Sequence, residues 1–301
     1  MLEVVNIDNS SIGLRIDKWI KNELTKIPQS LIEKDLRNGK IKVNKKKVKS
    51  SYKLMKNDKI YLYNFKYKNL SIIKKSYIPK NNIIKETEKD IIENNNNFIV
   101  INKKAGLPVQ GGTKIKENVT NILSNSIYFK GCKPYIVHRI DKDTSGVFII
   151  AKNRETAQQL TTLFRIRKMH KIYIALSFGQ IDVEKNILDN NLIRYEGKKK
   201  ILERAITHYQ AIDKNNKYTL FKLKPITGRK HQIRKHLVDL GHPIVGDDKY
   251  FLKKQSKNKH LMLHAYQIKF ILNNKKYNFK ASVPLYFKDF LIKSNLKQKN
   301  F

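Results

Sequence analysis

A chain of 301 residues has room for one large or two modest domains. Its 63 Lys and Arg against 25 Asp and Glu give a formal net charge of +38, which points to a polyanionic partner, nucleic acid before anionic membrane; because Lys, Asn and Ile are all abundant, arginine placement is the better guide. The single cysteine, Cys132, excludes an internal disulfide and a cysteine-built zinc site, and the absence of a basic-then-apolar opening or of an apolar run near the roughly 20 residues of a membrane span predicts a cytoplasmic protein without a signal peptide or membrane anchor.

Residues 1–12 read as an opening strand. From Leu14 a helical pattern places Ile16, Trp19, Ile20 and Leu24 on one face, and Pro28 breaks it. Ser30, with Glu33 three residues on, has the spacing of a capping box for a second helix whose apolar face is Leu31, Ile32 and Leu36; Gly39 stops it. Lys40–Val43 then alternates as a strand, Asn44-Lys45 is a hairpin turn, and Lys46–Lys49 is the return strand. Two short helices and a lysine-studded hairpin make a compact basic unit over 1–63. Through Arg15-Ile16-Asp17, Ser30-Leu31-Ile32, Leu36-Arg37-Asn38-Gly39, Lys42-Val43-Asn44 and Lys56-Asn57-Asp58 it resembles the S4 RNA-binding module. The resemblance implies RNA contacts from Arg37, Lys40 and Lys42. Asn57 stands where a Gly is usual, a position Asn tolerates because it accepts positive φ.

Residues 64–97, rich in Lys, Asn and Tyr with little periodicity, read as a linker. A second domain over 98–293 opens with the strand Phe98–Ile101, a turn through Lys103-Lys104-Ala105-Gly106 and a loop at Gly111-Gly112. The central stretch is His138-Arg139-Ile140-Asp141-Lys142-Asp143-Thr144-Ser145-Gly146, followed by the apolar run Val147–Ala151. A polar loop held by a buried strand is where catalytic groups usually lie. An Asp near an Arg can be held charged and aimed, and an aimed carboxylate can act as a nucleophile. On spacing alone the loop reads equally well as a turn whose backbone is satisfied by Asp, Thr, Ser and Gly.

A helix follows from Asn153 or Arg154, with Ala157, Leu160, Leu163 and Phe164 at helical spacing and a basic end at Arg165, Arg167 and Lys168. Ile172–Leu176 is a strand carrying Tyr173, 181–200 a loop or short hairpin, and strands are expected near 204–212 and 217–224. Pro225-Ile226-Thr227-Gly228-Arg229-Lys230-His231-Gln232-Ile233-Arg234-Lys235-His236 turns into a helix that runs to about Leu240, with Ile233, Leu237 and Leu240 toward the core. Arg234 lies one residue round from that stripe, from where it can reach a cleft. Gly246–Tyr250 is a further loop, Leu261–Ala265, Ile268–Leu272 and Tyr277–Val283 are closing strands, and 294–301 is a basic tail. His260 and His264 lack an intervening Glu, His231 and His236 would not share a helix face, and no acidic cluster suggests magnesium, so no metal is expected.

Taken together, the His138–Gly146 loop, Lys171-Ile172-Tyr173-Ile174-Ala175, Thr227–His236 and Leu263-His264-Ala265, in this order after an S4-like module, resemble the pseudouridine synthases of the RluA family over about Phe98 to Pro284. Lys104 stands where the family has Pro, Gln110 where it has His and Ile140 where it has Leu. The resemblance implies an α+β fold: the S4-like domain, then a catalytic domain with a mixed, largely antiparallel sheet and surrounding helices. It implies an isomerase, needing no cofactor, that turns specific uridines of 23S ribosomal RNA, in the large subunit, into pseudouridine; a monomer is expected. Asp141 is then the nucleophile, attacking either the ribose C1′ or uracil C6. Arg234 is its ion-pair partner, with Arg229 as the alternative partner or a phosphate contact. Tyr173 stacks on the uracil, and Arg139 enters the RNA where the target leaves the stack. Asp143 is implied to be dispensable. A non-catalytic RNA-binding or ribosome-assembly protein, and a related synthase with another target uridine, are the competing readings.

Overall fold

The computed structural model describes residues 2–8, 11–24, 27–65, 78–111, 117–129, 133–197, 199–250 and 260–296. The chain forms two compact units, Met1–Ser76 and Tyr77–Phe301.

In the first unit β1 (Leu2–Asn6) is followed by α1 (Ile16–Trp19), which continues as a π-helical turn over Ile20–Leu24, then α2 (Gln29–Arg37), β2 (Ile41–Val43) and β3 (Lys59–Tyr63). The strands form an antiparallel sheet in the order β1-β3-β2. Ile16, Trp19, Ile20, Ile32, Leu36, Ile41, Ile60 and Leu62 form its core, each fully buried aliphatic contributing about 1.5–3 kcal/mol. The structure bears out the helical spacing but not the cap. Pro28 is the N-cap of α2 and makes no side-chain cap bond, so Ser30 lies inside the first turn. Asn44 and Lys45 both take positive φ, as a tight hairpin turn demands. The return is a single bridge from Val43 to Lys46, and the ladder partner of β2 is β3. Asp58 holds this corner by accepting from the Asn44 amide, the Tyr52 hydroxyl and the Met55 backbone N–H.

The second unit begins inside the stretch expected to be a linker. Asn81–Lys89 is a helix, α3, and Ile91–Asn94 a strand, β4, hairpinned onto β5 (Phe98–Lys103) through a turn in which the Asn95 side chain accepts from the N–H groups of Asn97 and Phe98. Residues 66–77 lie outside the described set. Then come α4 (Val119–Ser124), β6 (Tyr135–Ile136), β7 (Ser145–Ala151), α5 (Arg154–Arg165), β8 (His170–Phe178), β9 (Lys185–Glu196), β10 (Lys199–Lys214), β11 (Tyr218–Pro225), α6 (Gln232–Asp239), β12 (Leu263–Leu272), β13 (Lys275–Lys280) and α7 (Leu285–Lys293). Three further expectations change. From Lys185 the stretch 181–200 enters a long hairpin of β9 with β10, the closing strand before β13 is one piece with a register shift between Ala265 and Gln267, and Leu296 of the expected tail is buried. The segment after Pro284, for which the sequence reading gives no element, is a helix.

The sheet runs β4-β5-β7-β12-β8-β11-β10-β9, with β13 on β12 and β6 on β7. Its described pairs are antiparallel except β7 with β12. Strand β7 is buried along its whole length, and its alternating residues serve two cores. Val147, Ile149 and Ala151 face Leu160 of α5 and the β12–β13 hairpin, whereas Phe148 and Ile150 face Val119 and Leu123 of α4. A strand pinned on both faces cannot drift, so the loop that feeds it is held in register. At the parallel junction Gly146 has φ +111, and a Cβ there would stand 2.2 Å from the Ala265 carbonyl oxygen, so only glycine lets β7 approach β12 directly after the loop.

Candidate active site

The loop from His138 to Thr144 is fixed at several points. The His138 ring stacks on Phe164 with centroids 4.5 Å apart, and its Nε2 accepts from the Ile149 backbone N–H at 3.0 Å. Burial pushes its pKa down to about 3, so it is a neutral structural ring. At the other end the Ser145 hydroxyl meets His264 Nδ1 at 2.8 Å, while His264 Nε2 lies 3.2 Å from the Ala281 carbonyl. That ring nitrogen donates to the carbonyl, so Nδ1 accepts from the serine. Between them, the ammonium of fully buried Lys103 donates to the carbonyls of Lys104, Leu107 and Lys142, each at 2.9 Å. Burial lowers its pKa to about 7, against the opposing charges of Asp143 and Asp141. Lys104, in the place expected for Pro, pairs with Asp90 at 3.5 Å and Glu86 at 3.6 Å, and the Gly106 N–H also donates to the Lys142 carbonyl. The turn is therefore tied down without the proline.

Asp141 emerges from this loop with a side chain 27% exposed. Its Oδ2 lies 3.5 Å from an Arg234 terminal nitrogen and its Oδ1 3.6 Å from His231 Nε2. The expected pairing with Arg234 is present, but it is not that arginine's main bond. Arg234 is buried and forks onto Asp247, Nε to Oδ2 at 2.8 Å and the second terminal nitrogen to Oδ1 at 2.6 Å. The guanidinium also lies over the Tyr250 ring at 5.1 Å, and the Tyr250 hydroxyl meets His231 Nδ1 at 2.7 Å. Burial lowers the His231 pKa, partly opposed by Asp141. Asp247, Tyr250, His231 and Lys103 are the residues of this site to which the sequence reading gave no part.

Asp141 borders two cavities, of about 620 Å³ and 950 Å³. Arg139, Asp141, Tyr173, Arg229 and Arg234, all the candidate residues from this unit, line the first. Tyr173 is half-buried on β8, and burial together with the charge of Asp141 raises its pKa, so it presents a neutral aromatic face. Arg139 is exposed at the rim. Arg229 is committed elsewhere, donating to the Arg204 carbonyl and to Glu203, so it braces the turn and is not the partner of Asp141. Asp143 is exposed and lines only the second cavity of the two, beside Gln110. Arg37, Lys40 and Lys42 belong to the first unit. Arg37 is exposed without an ion pair among the described residues, Lys40 is 3.8 Å from Asp35, and Lys42 lies over Tyr63. No described helix is long and apolar enough to cross a membrane.

A carboxylate with ion-pair contacts beyond hydrogen-bond length, next to an aromatic wall and within a basic cavity, is equipped to attack or deprotonate a planar, polyanion-borne substrate. Comparison with known proteins agrees with that chemistry. A family described as RNA pseudouridylate synthase matches residues 97–239, and the S4 domain family matches 14–60. Two proteins named ribosomal large subunit pseudouridine synthase C, from Buchnera aphidicola, are similar nearly end to end. The one from subspecies Schizaphis graminum is 33% identical over 96% of each chain, and the one from subspecies Baizongia pistaciae is 34% identical over 97% of this chain and 96% of that one. The solved structure of human RNA pseudouridylate synthase domain containing 4 superposes with a TM-score of 0.63 and 27% identity, over 72% of this chain and 97% of that one. The chain belongs to the RNA pseudouridylate synthases, a family of isomerases, and carries an S4 domain ahead of the synthase domain.

Proposed function

We propose that this protein isomerises specific uridines of 23S ribosomal RNA to pseudouridine, acting in the cytoplasm as a monomer and without metal or cofactor, with Asp141 as nucleophile. The observation that carries the proposal is the state of Asp141. It is oriented by Arg234 and His231 at 3.5 and 3.6 Å, yet keeps lone pairs for a reacting carbon in the cavity it shares with Tyr173. The names of the similar bacterial proteins supply the large-subunit target, and the net charge of +38 suits a folded RNA.

The target uridine is flipped out of its stack into the cavity. Tyr173 stacks on the uracil, worth about 1–3 kcal/mol, and Arg139 fills the place the base has left. Arg229 contacts the RNA backbone from the rim, and Arg37, Lys40 and Lys42 of the S4 domain hold RNA. Asp141 attacks C1′ or C6, the glycosidic bond breaks, the base turns, C5 is joined to the ribose as the bond to Asp141 breaks, and the freed carboxylate takes the C5 proton. The test is tritium release from 23S rRNA labelled at uridine C5, presented as transcript and as ribosomal particle. Release by the wild-type chain is expected. Tight binding with no release from either substrate would favour an assembly factor.

A further inference from the structure

Lys171 lies two residues before Tyr173 on β8, and both side chains line the 620 Å³ cavity. Unlike Lys103, which spends its ammonium on three carbonyls, Lys171 has no side-chain hydrogen bond, ion pair or ring contact among the described residues. Its near surroundings are apolar or neutral: buried Met169, the Phe164 ring, and His138, whose pKa the Lys171 charge helps to lower. Burial lowers the Lys171 pKa to about 8. An ammonium partly withdrawn from water and paired with no anion is unfavourable in the free protein. Such groups occur where a ligand brings the missing negative charge.

Depth identifies which part of the ligand that is. Arg139, Arg165 and Arg167, at the mouth of the same cavity, are exposed and suit phosphates, whereas Lys171 and Tyr173 are half-buried on one strand face. Alternate residues of a strand stand roughly 7 Å apart, so a base stacked on Tyr173 brings its edge within reach of the Lys171 ammonium. When the glycosidic bond breaks, its electron pair goes to uracil N1 and spreads to the carbonyl oxygens. We propose that Lys171 is a catalytic residue that donates a hydrogen bond to a carbonyl oxygen of the departing uracil and stabilises its negative charge. The assignment rests on the uridine-isomerase reading above. The base returns to C1′ through C5 as the bond to Asp141 breaks, the freed Asp141 carboxylate takes the C5 proton and passes it to water, and Lys171 ends the cycle still protonated.

The titratable and charged groups that line the same cavity are His138, Arg139 and Asp141 from the loop before β7, Arg165 and Arg167 from the end of α5, Tyr173 on β8, and Arg229, His231 and Arg234 from α6 and its turn. Asp141 is the carboxylate among them, and the cause that lowers the Lys171 pKa is burial. A lysine with a lowered pKa is charged below that value, so catalytic support is present at neutral pH and lost as pH rises through about 8.

The experiment is a single-turnover assay with saturating enzyme and 23S transcripts carrying either uridine or 5-fluorouridine. Loss of the N-nucleoside is followed in nuclease digests, with RNA affinity measured in parallel. Fluorine at C5 makes uracil a more stable anion, so it should substitute in part for Lys171. Lys171→Met is expected to slow uridine conversion by roughly 100-fold or more, to slow 5-fluorouridine conversion by less than about 10-fold, and to leave RNA affinity within about threefold. Lys171→Arg is expected to keep most of the rate and to abolish the alkaline fall, because a guanidinium stays charged. Equal deficits on both nucleosides, a deficit confined to RNA affinity, or an unchanged alkaline fall in Lys171→Arg would overturn the assignment while leaving the isomerase reading intact. A wild-type chain that converts no uridine would overturn both.

Discussion

Asp141 and Asp247 meet the same guanidinium and are used in opposite ways. Asp247 has a fully buried side chain, takes both arms of the Arg234 fork at 2.6–2.8 Å, and accepts two more bonds from the N–H groups of Lys249 and Tyr250. Its lone pairs are spent inside the protein. Asp141, 27% exposed, receives the remaining nitrogen at 3.5 Å and His231 at 3.6 Å. One carboxylate builds the site and the other is left available within it. On the proposed function, the second carboxylate holds the arginine in place so that the first stays open to substrate. Asp247 takes two of the three guanidinium nitrogens at 2.6–2.8 Å, which leaves one nitrogen for Asp141 at 3.5 Å.

The largest expected effect comes from removing the available member. Asp141→Asn should lower the single-turnover rate of C5 tritium release by at least ~10⁴-fold, with RNA affinity unchanged. Arg234→Lys should cost roughly 10²–10³-fold in the same assay, because one ammonium cannot fork onto Asp247 and still reach Asp141. Lys103→Met removes a donor from three carbonyls, of which that of Lys142 keeps the Gly106 N–H. A denaturant melt of the catalytic unit should show about 1–3 kcal/mol of lost stability, and the loosened loop should slow turnover by roughly 10–100-fold. Asp143→Asn changes an exposed carboxylate of the same loop and should leave the rate within about twofold. If Asp143→Asn were as damaging as Asp141→Asn, the distinction drawn between individual carboxylates of this loop would fail.

The parts of the site carried by local sequence were legible. The His138–Gly146 loop is marked by its polar run against five consecutive apolar residues, and the helix carrying Arg234 by the 3.6-residue recurrence of Ile233 and Leu237, both buried. The Asp247 fork was not legible, because 13 residues separate it from Arg234 and nothing in Gly246-Asp247-Asp248 says which carboxylate turns inward. The role of Lys103 was hidden for a similar reason: one more lysine in a lysine-rich chain, distinguished only by the carbonyls that surround it. At the level of elements, α3 buries little besides Ile84 and Thr87, so its apolar stripe was lost among Asn and Lys and the segment read as a linker. The outer part of the β9–β10 hairpin is largely exposed on both strands, which removes the alternation that marks a half-buried strand. Helix α7, with Phe287 and Leu291 at i, i+4 after Pro284, did carry a readable signal.

The most direct test of the account is a paired thermal melt of Asp141→Asn and Asp247→Asn against the wild-type chain. Breaking a buried charge pair from one side costs about 3–5 kcal/mol, so Asp247→Asn should lower the Tm of the catalytic unit by roughly 6–15 °C. Loss of a loose, partly exposed contact costs at most about 1 kcal/mol, so Asp141→Asn should melt within about 3 °C of wild type. Equal destabilisation by the two variants would contradict the account, because Asp141 would then be a structural carboxylate and not one held free for the substrate.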